Sequence, residues 1–162
     1  MIKAIAIDDE PLALELISRF CSKHAAIQLE KTFTKPSAAL AYLQKFPVDL
    51  VFLDIQMPSV TGLALSKNLP KNVRIIFTTA FSEHALDAYE LNAIDYLLKP
   101  FEESRFSKAV DKAVEFFRLK NQNENPSDNY LFIRADYKLI KIPLAEILYI
   151  EGLGDYLKVH YG

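Results

Sequence analysis

Six residues able to handle charge stand at the ends of apolar runs. Asp8 and Asp9 close IKAIAI, Asp54 closes DLVFL, Thr78 and Thr79 close VRIIF, and Lys99 follows AIDYLL. One acid at a strand end caps a helix or meets solvent. Two or three held close together repel, and each raises the others' pKa. A hard divalent cation removes that conflict, and an oxygen-only donor set suits Mg²⁺ better than zinc. The lone Cys21 and the three histidines, His24, His84 and His160, have no zinc-type spacing. An aspartate beside such a cation can attack phosphorus and become an acyl phosphate. Asp54, where the most apolar run surfaces, is the residue placed for this. Lys99 would offset charge on the transferred oxygens, and the Thr79 hydroxyl would donate to one of them. Pro100 after Lys99 is a candidate for a cis bond that aims the lysine.

These residues need a frame that brings strand ends together. Short apolar runs predict strands over 2–7, 27–33, 49–54, 73–80 and 93–98. Helical spacing predicts helices over 11–21, 35–46, 62–69, 82–91 and 103–120, with Pro11 in a first turn and Ser82 as an N-cap. Alternating strands and helices argue for an α/β fold, flavodoxin-like, with a central parallel five-stranded sheet covered on both faces. Ligands of such sheets sit outside the carboxyl ends of the strands, where the six residues stand. On the last predicted helix Phe106, Val110, Ala113, Val114 and Phe117 form one apolar stripe. Phe116 lies about 100° from Phe117, with Ala109 and Lys112 flanking it on the outer face.

Composition bounds the rest. The chain has 162 residues and a formal net charge of −2, so no bulk basic field advertises nucleic acid. One cysteine allows no internal disulfide, and a reducing cytoplasm is the expected setting. The N-terminal apolar stretch is too short for a signal peptide or a membrane span. Residues 121–129 (NQNENPSDN) carry no large apolar side chain and read as a linker. Residues 130–162 read as short strands with turns near 135–136 and 152–155, an all-β segment too small to stand alone and so expected to be truncated.

Together IDDE, FLDIQMPSVTGL, TTAF and DYLLKPF resemble the receiver domain of bacterial two-component response regulators, over residues 1–120. The resemblance implies a phosphorelay protein in which Asp54 accepts a phosphoryl group from a sensor histidine kinase. It implies that Asp9, Asp54 and the backbone carbonyl of Gln56 hold Mg²⁺, with Asp8 in support. It makes Thr79, directly before Ala80, the switch hydroxyl, Tyr96 the switch aromatic and Lys99 the phosphoryl-binding lysine. The tail, with ILYIEGLGDYLKVH, resembles the start of the DNA-binding domain of the LytTR (LytR/AlgR) family. That implies transcription regulation, with DNA contacted through the complete output domain rather than through this tail alone.

Two other functions compete. An aspartate-nucleophile phosphatase of the haloacid dehalogenase kind needs a second acid two residues after the nucleophile, where Gln56 stands. A phosphate-independent interaction module would have no use for the full set of acids, hydroxyl and lysine. Active receivers pair through the face built by the fourth helix, fifth strand and fifth helix. A phosphorylation-dependent homodimer is therefore expected, and no membrane partner.

Overall fold

The computed structural model describes residues 1–81, 93–123, 130–135, 138–153 and 156–162. Five strands, β1 (Ile2–Ile7), β2 (Ile27–Phe33), β3 (Leu50–Asp54), β4 (Arg74–Thr79) and β5 (Ala93–Leu98), form one sheet in the order β2-β1-β3-β4-β5. Every pairing in it is parallel. Helices α1 (Pro11–Cys21), α2 (Pro36–Leu43), α3 (Gly62–Ser66) and α4 (Glu103–Asn123) accompany it. The predicted helix over 82–91 and its Ser82 cap lie outside the described residues.

The parallel sheet follows from the strand sequences. All five residues of β3 are buried, so it must be covered on both faces. Alternation sorts its side chains into two cores. Leu50 and Phe52 join Ile76, Leu97, the α1 residues Leu14, Ile17 and Phe20, and the α4 residues Phe106 and Val110. Val51 and Leu53 join Ile75, Phe77, Ala39 of α2 and Leu65 of α3.

Several boundaries differ from expectation. Helix α2 stops at Leu43 rather than at 46, because Pro47 disfavours helical backbone in the residue before it. Helix α3 ends at Ser66, a turn short of 69, ahead of Pro70. Helix α4 runs three residues past 120, into the segment read as a linker, where Gln and Asn can continue a helix already nucleated. Residues 124–129 are outside the described set. Ala109 is also a correction: it is fully buried in the core rather than on the outer face. Phe106, Ala109, Val110 and Ala113 follow the i, i+3, i+4, i+7 pattern of a buried stripe. Phe116 does lie off that stripe, and it is shielded: the Arg74 guanidinium sits 4.7 Å from its ring centroid.

The chain divides into two compact units, Met1–Phe117 and Arg118–Gly162. In the second, β6 (Tyr130–Ala135) pairs antiparallel with β7 (Lys138–Pro143), and β8 (Ile147–Leu153) with β9 (Tyr156–Tyr161). Residues 130–162 thus form the expected β segment, with a 3-10 turn at Leu144–Glu146 and the expected turns partly outside the described residues. Among the described residues no helix is long and apolar enough to cross a membrane.

Gly62 fixes the end of β3. Its N–H donates to the Ile55 carbonyl at 2.7 Å, and Thr61 caps α3 by accepting from the Ala64 N–H. A Cβ at Gly62 would lie 2.1 Å from the Asp54 carbonyl oxygen and 2.9 Å from Ile55 Cα. Both obstacles are backbone, so relief must move the strand end. Gly62→Ala is expected to cost about 3 kcal/mol, the upper range for overpacking. Urea unfolding checks this; a loss under about 0.5 kcal/mol, the scale of a neutral surface change, would refute the close approach.

Candidate functional site

In a parallel sheet all carboxyl ends share one edge, and the order β2-β1-β3-β4-β5 reverses direction between β1 and β3. Asp8 and Asp9 follow β1, and Asp54 ends β3, so the acids flank that switch point. One carboxylate oxygen from each of Asp8, Asp9 and Asp54 lies within 4.8 Å of the others. That is close to the roughly 4 Å span of an octahedral Mg²⁺ shell with ligands near 2.1 Å. The donors are all hard oxygens, so the residues present fit such an ion.

Burial sets their electrostatics. Asp8 is fully buried and Asp54 is 3% exposed. Desolvation, then the neighbouring Asp8 charge, pushes Asp54 up from 3.8 to about 6, although Lys99 and the Gln56 N–H favour its ionised form. Asp8 is raised too, by burial, against the opposing pull of Lys99 and the Glu10 N–H. The counter-charge is Lys99. Its Nζ donates to Asp8 at 2.8 Å and to Glu10 at 3.2 Å, and lies 3.6 Å from Asp54. Burial works against the ammonium, but these acids outweigh it and raise the Lys99 pKa. Asp8 is doubly engaged, since its other oxygen accepts from the Glu10 N–H at 2.9 Å. The Lys99–Pro100 peptide bond is cis.

Lys99 is placed by an anchor on β5. Arg105 of α4 donates to both oxygens of Asp95, at 2.8 and 2.9 Å, and to the Tyr96 carbonyl at 2.7 Å. Lys112 adds an ion pair at 3.1 Å. Burial would raise the Asp95 pKa, yet the Arg105 bonds prevail and hold it low.

The remaining expected residues lie on the same rim. Thr79 is fully buried at the end of β4, Ala80 follows it exposed, and Tyr96 is half-buried on β5. Gln56 is exposed, two residues past Asp54. Phe81 joins Thr79 to Tyr96: its N–H donates to Thr79 Oγ1 at 3.2 Å, and its carbonyl accepts from the Tyr96 hydroxyl. Sequence reasoning assigned no role to Phe81 or to Glu10. Glu10 had a signal, as the last acid of IDDE. Phe81 acts through its backbone, which leaves none.

Residues 4–111 match the family model described as response regulator receiver domain. The chain belongs to the response regulator receiver family. The transcriptional regulatory protein YpdB of Escherichia coli (strain K12) is 32% identical over 159 residues, covering 93% of this chain and 65% of that protein. The chain thus spans about two thirds of the length of this relative. The crystal structure of the response regulatory domain of protein MrkE from Klebsiella pneumoniae aligns with a TM-score of 0.68 at 36% identity, covering 73% of this chain and 99% of that one. The response regulator TrrA from Thermotoga maritima, solved in complex with Mg²⁺-BeF, aligns at 0.62 and 28% identity, covering 70% and 99%. Receiver domains bind Mg²⁺ at their acidic pocket, and in this receiver the corresponding feature is the aspartate cluster.

The raised Asp54 pKa sets a pH dependence. A carboxyl whose folded-state pKa exceeds its unfolded value binds protons more readily when folded. Stability is then present at low pH and lost as pH rises from about 4 to about 6. Without divalent metal, Asp54→Asn should flatten that loss, with Asp8 leaving a residual slope. At pH 7.5 the variant should be more stable by on the order of 2 kcal/mol. Thermal melts of both proteins across this range check it; parallel curves would refute the raised pKa.

Proposed function

We propose that this receiver is a phosphorylation-controlled switch with Asp54 as its phosphoacceptor. The observation carrying the reading is that Asp54, nearly buried at a strand end, lies within cation-sharing distance of Asp8 and Asp9 and 3.6 Å from Lys99. An Asp54 oxygen attacks phosphorus as the bond to the donor's leaving group breaks. For a phosphohistidine of a sensor kinase, the imidazole nitrogen keeps the electron pair and takes a proton from solvent. Asp9, Asp54 and the Gln56 carbonyl would hold Mg²⁺, with Asp8 in support. When bound, the metal supplies charge neutralisation for the acids and the phosphoryl oxygens. Asp8 is the weaker candidate ligand because Lys99 and the Glu10 N–H already engage both its oxygens.

Lys99 leaves Glu10 and Asp8 for the new phosphoryl group. Thr79 keeps its own O–H to donate, since its recorded bond is one it accepts. Moving Thr79 toward the phosphoryl pulls on Phe81, and Phe81 holds the Tyr96 hydroxyl. This backbone link supports Thr79 and Tyr96 acting as one switch that reshapes the β5–α4 face. The output is regulation of transcription. Residues 130–162 are proposed as the first part of a LytTR-type domain that meets DNA only when complete, in a cytoplasmic protein.

Acetyl phosphate with Mg²⁺ followed by intact mass should give a species heavier by about 80 Da, one phosphoryl group. Asp54→Asn should abolish it with the fold intact, and chelating the metal should stop it. Lys99→Ala should uncouple phosphorylation from structural change more than it blocks the chemistry. Uptake by Asp54→Asn equal to wild type would overturn the assignment, and no uptake by wild type would favour a phosphate-independent module.

Beryllofluoride with Mg²⁺ should raise the dimer fraction, with a coupling of about 1–3 kcal/mol. Sedimentation at micromolar protein reads this; identical distributions with and without the mimic would remove the dimer from the mechanism.

A further inference from the structure

The two threonines ending β4 face opposite sides of the sheet. Thr79 follows the alternation of Ile75 and Phe77, whereas Thr78 follows Ile76. Asp54 follows Leu50 and Phe52, so it shares the Thr78 face. In the ladder the two are direct partners, and the Ile55 N–H donates to the Thr78 carbonyl at 3.0 Å. Adjacent strands lie about 4.8 Å apart, so side chains on one face of paired residues come within reach of each other.

Thr78 is fully buried, and its Oγ1 has no hydrogen-bond partner among the described residues. A buried hydroxyl left unpaired is destabilising, and a valine of the same shape would avoid the penalty. Packing therefore does not account for threonine here. Thr79 differs, because its Oγ1 already accepts from Phe81. Beside Thr78 stands an acid whose support is the Gln56 N–H and a shared Lys99. Lys99 is closer to Asp8, at 2.8 Å, than to Asp54, at 3.6 Å.

We propose that Thr78 is a positioning residue for Asp54. Its hydroxyl donates to the Asp54 carboxyl group in the metal- and phosphoryl-bound state, when Lys99 turns to the phosphoryl oxygens. The hydroxyl that is unpaired in the free receiver is thus a donor that the Asp54 carboxyl group takes up once the ligand has drawn Lys99 away. The inference rests on Asp54 being the phosphoacceptor and adds to it a second hydroxyl, on the opposite side of β4 from Thr79.

The test uses the whole chain, excess Mg²⁺ and beryllofluoride as the phosphoryl mimic, read by the shift in melting temperature. Thr78→Val should melt at or above wild type without ligand, yet need about tenfold more beryllofluoride for half its shift, the loss expected of one hydrogen bond to a charged acceptor. Thr78→Ser should restore the wild-type midpoint. Should the valine variant fail to fold, Thr78→Ser against Thr78→Ala isolates the hydroxyl, because both lack the methyl group. Equal midpoints for wild type and Thr78→Val, or for the serine and alanine variants, overturn the inference while leaving the phosphoacceptor reading intact. A wild type indifferent to beryllofluoride overturns both.

Discussion

The ammonium of Lys99 is the charge on which the acidic edge depends. It reaches Asp8, Glu10 and Asp54 from the end of β5, while desolvation drives Asp8 and Asp54 toward their neutral forms. Remove one partner of a buried ion pair and an uncompensated charge remains, a loss of about 3–5 kcal/mol where both are deep. Lys99 is 17% exposed along its side chain, so it stays within reach of solvent and of a ligand. The same lysine therefore offsets the buried acids while part of its side chain stays open to solvent.

Holding Lys99 there takes a second layer of ionic contacts. Asp95 is gripped by both arms of Arg105 and by Lys112, and Arg105 also binds the Tyr96 carbonyl. This fastens β5 to α4 on the strand that delivers Lys99. On β3 the corresponding constraint is steric, since Gly62 lies against the Asp54 carbonyl with no room for a side chain. One functional group is thus positioned by charge and the other by close backbone approach.

Strand β4 ends in two threonines on opposite faces of the sheet. On the side of α1 and α4, Thr78 stands next to Asp54 in the ladder. On the other side Thr79 connects through the Phe81 backbone to Tyr96. Thr78 beside Asp54 and the Thr79–Phe81–Tyr96 contacts thus begin on opposite sides of one strand. Two adjacent threonines reach both faces because side chains alternate along a strand.

Much of this was legible in the residues alone. Continuous apolar runs such as LVFL need cover on both faces, and the alternation of strands with amphipathic helices then leaves a parallel sheet as the economical arrangement. Parallel strands place their carboxyl ends on one edge, so position alone brings Asp8, Asp9, Asp54, Thr78, Thr79 and Lys99 to one rim. Pattern also misleads: Ala109 flanks the direction of Phe116 on a helical projection, yet its spacing from Phe106 and Val110 buries it in the core. What only the tertiary structure decided were matters of register and reach. Which threonine pairs with Asp54 depends on β3–β4 register. That Glu10 shares Lys99 depends on how far the Lys99 side chain reaches along the sheet edge, and that Phe81 links Thr79 to Tyr96 depends on backbone groups. Sequence specifies which groups a chain possesses and the period at which they recur; distances between residues remote along the chain are set when the strands dock.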